Sequence, residues 1–242
     1  MSISAARTVK ELAIELPGAT RVFDKLGIDY CCGGGRTLDD ACVAAGLRPD
    51  EVVASLEAAS QARAGSNRET RWPEQSLAAL IDFIINKHHV FTTQELDRIE
   101  MLVTKVRSVH AQRHPELLEI ETLFNSLKSD LTLHMKKEEM ILFPYINELE
   151  DAIANGRRPP PAMFGTVKNP IRMMRTEHDT AGDILRNIRK SSSNFTVPAD
   201  ACISFQTLYE ALEGLEQDLH QHIHLENNVL FPRAETIEDQ PE

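Results

Sequence analysis

The chain has only four cysteines among 242 residues, no long apolar run and no excess of positive charge. Four cysteines in a chain of this length do not form the dense disulfide framework of small secreted proteins. The longest apolar stretch, residues 77–85, is interrupted by Asp82 and is too short to cross a bilayer. The first sixteen residues contain four charged side chains and no apolar core, so we expect no signal peptide. These absences predict a protein of the reducing cytoplasm.

Acidic side chains outnumber basic ones by 37 to 26, which gives a formal net charge of −11. Nonspecific binding to nucleic acid or to an anionic membrane requires a basic surface, so we expect neither partner. Hydrophobic residues make up 42% of the chain, enough for one large domain or for a medium domain with a small one. No stretch has the alternating pattern of a β-strand, and the expected fold class is therefore all-α.

Residues 1–60 are predicted to form a small domain of four short helices separated by helix-breaking residues. A capping box at Thr8-Val-Lys-Glu11 opens the first helix, and Gly27 and Gly46 follow the second and third. The segment Cys31-Cys32-Gly-Gly-Gly lies between the second and third helices. Residues 61–72 are polar and contain Gly-Ser-Asn, so they are predicted to be a linker.

Four long helices are predicted after the linker, over about 74–110, 116–150, 170–192 and 198–230. Apolar residues recur in them at helical spacing, and breaker-rich segments separate them. Mostly short connections between long helices favour an up-down four-helix bundle, which we place at residues 73–235. Residues 236–242 are predicted to be an acidic tail.

One phrase, H-x3-E-x3-L-F-P, begins at His134 and occurs again at His222, 88 residues later. Residues four apart on an α-helix lie on one face, about 5–6 Å from each other. The phrase therefore allows His134 with Glu138, and His222 with Glu226, to reach a metal ion buried between helices. The Leu-Phe-Pro end of the phrase is predicted to pack in the core and to end or bend the helix.

Each copy of the phrase follows a helix that carries one matching histidine. His89 precedes His134 by 45 residues, and His178 precedes His222 by 44. In an antiparallel helical hairpin, such residues return to the same depth of the bundle. Four histidines and two glutamates predict a site for two metals, with bridging carboxylates, two imidazoles per metal and free coordination positions. Mixed nitrogen and oxygen ligands suit iron or manganese, and imidazole also admits zinc.

Neighbouring histidines compete with this assignment. His220 and His224 could replace His222, and His88 could replace His89, but alignment of the two halves selects His222 and His89. His88 and Glu177 then occupy equivalent positions. They are predicted to lie beside the ligands or to line an access path.

Two interpretations of Cys31 and Cys32 are open. A redox or iron-transfer role is one hypothesis, because the glycines leave the thiols approachable and Arg36 would favour thiolates. The other is that the glycines form a tight turn and the cysteines pack as small apolar residues. Cys42 and Cys202 lie on predicted helices and are expected in the core.

The doubled H-x3-E motif with its matching histidines resembles the hemerythrin-like di-iron domain. Together with the Cys-Cys-Gly-Gly-Gly module, nearly the whole chain resembles the iron–sulfur cluster repair (repair of iron centres) proteins. The resemblance implies a hemerythrin-like bundle with two non-haem iron ions, bridged by an oxo group and by carboxylates. It implies the following ligands: His89, His134, His178 and His222 as terminal ligands, and Glu138 and Glu226 as bridges.

The resemblance also implies a cytoplasmic role under nitrosative or oxidative stress, in which damaged iron–sulfur proteins are the partners and nitric oxide or oxygen is the small ligand. Oxygen-carrying hemerythrins have a second histidine four residues after the one that matches His178, but this chain has Gly182. The leading hypothesis is therefore cluster repair by iron donation or by processing of nitrogen oxides.

Capture of nitric oxide or oxygen without turnover is the alternative function, and a metal-free helical scaffold is a third. No classical catalytic cycle is assigned to the chain. The small helical domain is also a candidate element for homodimerisation.

Overall fold

The computed structural model describes residues 3–16, 18–63, 71–159 and 161–239. These residues are helical with short connections, and the only β-type pairing among them is an isolated bridge between Thr8 and Thr37. The predicted class, an all-α four-helix bundle preceded by a small helical domain, is confirmed. No helix in the described part of the chain is long and apolar enough to cross a membrane.

The small domain contains four helices, and local signals in the sequence set their ends. The Thr8 side chain accepts a hydrogen bond from the Glu11 backbone, and the Glu11 carboxylate accepts one from Thr8 N–H, which completes the predicted capping box. Gly27 and Gly46 cap the second and third helices with φ of 67° and 68°, a conformation that favours glycine. The helices are α1 (Val9–Glu15), α2 (Ala19–Leu26), α3 (Leu38–Ala45) and α4 (Pro49–Arg63).

The bundle contains four long helices, and three of them include a π-helical turn. A short 3-10 turn, Trp72–Glu74, precedes them. Helix α5 consists of Leu77–Phe83, a π turn over Ile84–His89, and Val90–His110; α6 consists of Glu116–Lys137, a π turn over Glu138–Leu142, and Phe143–Ala154. Helix α7 is Lys168–Ser191, and α8 consists of Ile203–Leu225, a π turn over Glu226–Leu230, and Phe231–Glu238.

One expected helix end differs from the structure, because Leu-Phe-Pro does not end α8 near residue 230; α6 also continues through its copy of the motif, as predicted. Pro144 and Pro232 each lie in the first turn of the α-helical segment that follows a π turn, where a missing N–H is tolerated. Helix α8 therefore continues to Glu238, so residues 236–238 are helical and do not belong to a tail. Helix α4 likewise includes the first three residues of the predicted linker, of which 64–70 lie outside the described residues.

Two hydrophobic clusters fill the bundle, one on each side of the level that contains the repeated histidines. The first cluster includes Val103, Phe124 and Leu212, and the second includes Leu80, Phe143 and Phe231. Along each long helix, the histidine lies between residues of the two clusters. The helices are therefore fixed by apolar packing above and below a polar layer.

The internal repeat also includes two carboxylates that cap neighbouring helices. Glu150 lies 12 residues after Glu138 and accepts hydrogen bonds from the first two backbone N–H groups of α5, at 2.7 and 3.0 Å. Glu238 lies 12 residues after Glu226 and accepts one from Val167 N–H at 2.8 Å, at the start of α7. In each hairpin, a carboxylate near the end of the second helix therefore lies at the N-terminus of the first helix, where negative charge is favourable.

Replacing Glu150 by alanine is expected to destabilise the protein by about 1–2 kcal/mol, the usual effect of losing a helix N-terminal cap. At roughly 2–4 °C per kcal/mol for a chain of this size, the melting temperature should fall by about 2–8 °C. Thermal unfolding followed by circular dichroism measures the change. Glu148→Ala on the exposed face of the same helix is the control, and equal melting temperatures for the two variants would contradict the capping role.

Cys42 and Cys202 behave differently from each other. Cys42 is fully buried in the core of the small domain, as expected. The prediction for Cys202 is wrong, because this residue is exposed. It is the N-cap of α8 and so precedes the helical residues that pack in the core. The helix begins at Ile203, five residues after the predicted start.

Candidate metal centre

Six buried side chains from all four long helices meet at one level of the bundle. They form two groups of four, and within each group one ligand atom per residue lies within 4.8 Å of the others. The two glutamates belong to both groups, while each group has its own pair of histidines. The first group is His89, Glu138, His222 and Glu226, and the second is His134, Glu138, His178 and Glu226.

The Glu226 carboxylate has one oxygen in each group. Its Oε1 lies 2.9 Å from His222 Nε2, and its Oε2 lies 3.1 Å from His178 Nε2. A carboxylate in this position can give one oxygen to each of two metal ions.

Glu138 has the same arrangement on the opposite side. Its Oε1 lies 3.3 Å from His134 Nε2, and its Oε2 lies 3.5 Å from His89 Nε2. The histidines of each group are also close, with 3.2 Å between His89 Nε2 and His222 Nε2, and 3.0 Å between the Nε2 atoms of His134 and His178. The two halves are therefore related by the internal repeat in geometry as well as in sequence.

The π turns bring three of the four helices into this arrangement. Glu138 and Glu226 are the first residues of their π turns, and His89 is the last residue of another. A π turn contains one extra residue, which shifts the side chains that follow, and such turns are frequent at functional sites. The sequence pattern predicts a continuous α-helix at each position and does not reveal these turns.

The carboxylates fit a cation better than they fit a metal-free core. Glu138 and Glu226 are fully buried, and Glu138 Oε1 and Oε2 and Glu226 Oε2 lack a well-aligned hydrogen-bond partner among the described residues, although imidazole nitrogens lie 3.1–3.5 Å away. Burying a carboxylate without such partners is costly unless a cation compensates it. The donor set of imidazole nitrogens and carboxylate oxygens suits iron, manganese or zinc. The buried cluster therefore fits a metal-binding site.

Charge within the cluster keeps the glutamates ionised. Burial raises the pKa of Glu226, but the adjacent His222 and His178 reverse this and hold the pKa well below its usual range. Burial and the Glu226 charge also raise the pKa of Glu138, and His134 with His89 lowers it below the usual value. Both side chains are therefore carboxylates, as metal ligands must be.

Three of the four histidines have an acceptor for their second ring nitrogen. His89 Nδ1 lies 2.7 Å from Glu139, and His134 Nδ1 lies 2.8 Å from Glu177. His178 Nδ1 lies 3.0 Å from Asn227 Oδ1. Such bonds fix the ring so that Nε2 faces the centre.

Two of these acceptors, Glu139 and Asn227, were not predicted from the sequence. Each directly follows a repeated glutamate, so the second residue of the pairs Glu138-Glu139 and Glu226-Asn227 is the signal that could have identified it. Glu177 was predicted to lie beside a ligand, and the structure places it against His134 and Lys137.

His88 lies in the place equivalent to Glu177 but contacts its histidine differently. Its ring stacks on His222, with 5.5 Å between ring centroids and 10° between planes, and its Nδ1 lies 3.0 Å from the Asp218 carboxylate. His222 Nδ1 and His88 Nε2 have no hydrogen-bond partner among the described residues. The two halves of the centre therefore differ at this contact.

Metal binding is expected to release a proton from His134. Burial lowers the pKa of His134, but the charges of Glu138 and Glu226 and the bond to Glu177 outweigh burial and raise the pKa to about 9. At pH 7 the metal-free ring is therefore protonated, and a metal at Nε2 must displace that proton. Calorimetric titration in two buffers of different ionisation enthalpy measures the release. Equal binding enthalpies in both buffers would contradict it, and repetition at pH 9.5 should give a smaller release.

The competing histidines on α8 contact the small domain instead of the centre. His220 Nδ1 lies 3.1 Å from Asp24, and the His224 ring packs on Tyr30 with 5.3 Å between centroids. Asn228 also donates to the Tyr30 carbonyl at 3.1 Å. These contacts join the small domain to the bundle.

Cys31 and Cys32 lie outside both His/Glu groups, at the boundary between the small domain and the bundle. The two thiols differ in environment, and that of Cys31 does not favour the thiolate. Its hydrogen bond with Cys32, its burial and the nearby Asp29 charge raise the pKa of the Cys31 thiol well above its usual value. Gly34 has a structural role in this turn, because a Cβ at its position would lie 2.5 Å from the Tyr30 carbonyl oxygen and would clash with it.

Comparison with known proteins gives matches over both parts of the chain. Residues 80–234 match the hemerythrin HHE cation binding domain, and residues 5–60 match ScdA_N, a domain of unknown function (DUF542). A probable iron-sulfur cluster repair protein from Haemophilus influenzae is 35% identical over 230 residues, which cover 95% of this chain and 97% of the relative. The iron-sulfur cluster repair proteins YtfE of Enterobacter sp. and of Escherichia coli O1:K1 are each 36% identical over 224 residues, 93% of this chain and 94% of each relative.

Proposed function

This chain belongs to the iron–sulfur cluster repair family of hemerythrin-domain proteins, and we propose that it binds two iron ions and repairs damaged clusters by donating iron. The observation that carries the proposal is the position of the two glutamates. Each has one oxygen beside each histidine pair, and the only ion-pair partners of the two carboxylates within the described residues are the four histidines of the centre. The names of the relatives support the choice of iron and of clusters as the target.

We assign one iron to each histidine pair. His89 and His222 would hold one ion, His134 and His178 the other, and Glu138 and Glu226 would bridge them together with an oxo group. Bound iron supplies redox chemistry and free coordination positions. The chain contributes the fixed orientation of the imidazoles, through Glu139, Glu177 and Asn227, and the exclusion of bulk water by the two apolar clusters.

Gly182 supports release of iron over permanent storage. It lies one helical turn after His178 and has no side chain, so α7 gives one ligand to the centre. Two histidines and two shared carboxylates leave each six-coordinate iron with positions that an acceptor or a small molecule can occupy. For this chain, the delivered iron is the substrate and the apo-cluster protein is the acceptor.

An isotope-transfer assay tests iron donation. The protein is loaded with ⁵⁷Fe without oxygen, freed of excess iron, and mixed with an apo iron–sulfur enzyme, sulfide and a chemical reductant. Recovered enzyme activity together with ⁵⁷Fe in the reisolated enzyme is the expected result. A parallel reaction with free ⁵⁷Fe and a ferrous chelator is the control. The chelator captures iron that is free in solution, so this reaction should restore no enzyme activity.

Failure of transfer by a protein that retains two irons and binds nitric oxide tightly would overturn donation in favour of ligand capture.

Nitric oxide or oxygen as ligand, a cytoplasmic location and a homodimer through the small domain are further predictions. Size-exclusion chromatography with light scattering tests the last of them.

A further inference from the structure

A large cavity at the boundary of the two domains contains both cysteines of the Cys-Cys-Gly-Gly-Gly segment. Its volume is about 750 Å³, within the roughly 300–1,000 Å³ range of small-molecule sites. Helix α2 and the Cys31-Cys32 turn line one wall, and α7 and α8 line the other. The six residues of the metal centre do not line it, so its chemistry is independent of bound metal.

The two thiols in the cavity have different environments. Cys31 is buried, and its Sγ lies 3.3 Å from Asp29 Oδ1, to which the thiol donates. The same oxygen accepts hydrogen bonds from the backbone N–H groups of Cys31 and Cys32 at 3.1 and 3.0 Å. Cys31 is therefore held as a thiol, and the half-buried Cys32 is the sulfur that a ligand in the cavity can reach.

The rim of the cavity also has basic side chains without an ion-pair partner among the described residues. The four carboxylates of the lining have contacts of their own: Asp24 contacts Tyr30 and His220, Glu213 and Glu216 contact Arg189, and Asp29 accepts hydrogen bonds from the cysteine backbone. Two basic residues at the rim, Arg21 and Lys25, are exposed and have no ion-pair partner within the described part of the chain. An anionic ligand would therefore meet free cations there.

Arg186 adds a third cation above the opposite wall. Its only ion-pair partner among the described residues is the exposed Asp183, at 2.6 Å. Its guanidinium lies close to Gly182. A Cβ added at position 182 would be 3.3 Å from a guanidinium nitrogen of Arg186. The glycine at position 182 thus leaves room for Arg186 beside the cavity.

We propose that this cavity binds a carboxylated low-molecular-weight thiol of tripeptide size, and that Cys32 forms a mixed disulfide with it by exchange with the oxidised form. The Cys32 thiolate attacks one sulfur of the ligand disulfide, and a bond forms between Cys32 Sγ and that sulfur. The ligand S–S bond breaks, and the departing thiolate takes a proton from water. A second molecule of reduced ligand reverses the reaction.

Cys31 does not resolve the mixed disulfide. Its thiol is buried and donates to Asp29, and a disulfide between adjacent residues is strained. The adduct therefore persists until external thiol removes it. The carboxylates of the ligand are bound by Arg21, Lys25 and Arg186, which distinguishes this reaction from oxidation by a neutral disulfide.

Mass spectrometry of the reduced, metal-loaded full-length protein tests the proposal with oxidised glutathione as the probe. The experiment uses a Cys202→Ser background, because Cys202 is exposed and would also react. One glutathionyl group per chain is expected, located on Cys32 by peptide mapping. Cys32→Ser should abolish it, and Cys31→Ser should retain it. An adduct on Cys31, or one that survives Cys32→Ser, would overturn the proposal.

A comparison of two disulfides tests the role of the cations. Arg186→Gln and Lys25→Gln should each slow the reaction with oxidised glutathione by about fivefold, as expected for loss of one exposed charge contact. Neither substitution should slow the reaction with the neutral 2-hydroxyethyl disulfide. Lys190→Gln, at an exposed residue on the same helix as Arg186 but outside the cavity lining, is the matched control. Equal effects on both disulfides would refute recognition of the carboxylates. The readout is an adduct mass, so it is independent of iron donation.

Discussion

Glu226→Ala is expected to abolish binding of both metals, whereas His222→Ala should abolish binding of one. Glu226 has one oxygen facing each histidine pair, at 2.9 and 3.1 Å from the nearest Nε2 atoms, while His222 belongs to one group alone. Loss of an orienting partner of a ligand already lowers metal affinity by about 10–100-fold, and loss of a shared ligand should exceed this. Metal analysis of the anaerobically loaded and desalted variants measures the ratio.

Glu210→Ala is the matched control for this comparison. Glu210 lies on the same helix but is exposed, and its side chain accepts a hydrogen bond from Gln206. It should retain the metal content of the unsubstituted protein. A Glu226→Ala protein that keeps two metals per chain would show that the carboxylate is not shared between them.

Removal of metal by a chelator should lower the melting temperature by at least about 10 °C. A ligand that binds only the folded state at a thousandfold excess over its Kd stabilises it by about 4 kcal/mol. For a chain of this size, each kcal/mol corresponds to roughly 2–4 °C. Without metal, two fully buried carboxylates remain close together with only the histidines of the centre as ion-pair partners among the described residues, which adds to the loss.

Scanning calorimetry of the loaded and chelated protein measures this difference. A Glu138→Gln/Glu226→Gln variant is the control, because neutral amides of the same shape should make the melting temperature insensitive to the chelator. Equal melting temperatures of the loaded and chelated unsubstituted protein would contradict a structural contribution of the metals.

The depth of each site residue could be predicted from the sequence, but its position around the bundle axis could not. The spacings of His89 from His134 and of His178 from His222 place each pair at one level of its hairpin. The structure combines residues across hairpins, His89 with His222 and His134 with His178. Spacing along a hairpin gives a height only, and the packing of all four helices decides which rings face each other.

The sequence pattern also does not reveal the local backbone conformation within the helices. Helical periodicity does not distinguish an α-helix from one with a π turn, so the turns that begin at Glu138 and Glu226 were not predicted. Likewise, a proline was expected to end or bend each helix, although it is accommodated in the first turn after the π segment. The partners Glu139 and Asn227, which lie beside His89 and His178, were missed with those turns, although each directly follows a repeated glutamate.

The iron content of the anaerobically loaded and desalted chain, measured together with its near-ultraviolet absorption in the ferric state, tests the central claim most directly. We predict two irons per chain and an absorption band typical of an oxo-bridged ferric pair, both lost in Glu226→Ala. One iron per chain without such a band, or two irons retained after Glu226→Ala, would contradict a centre in which two metals share buried carboxylates.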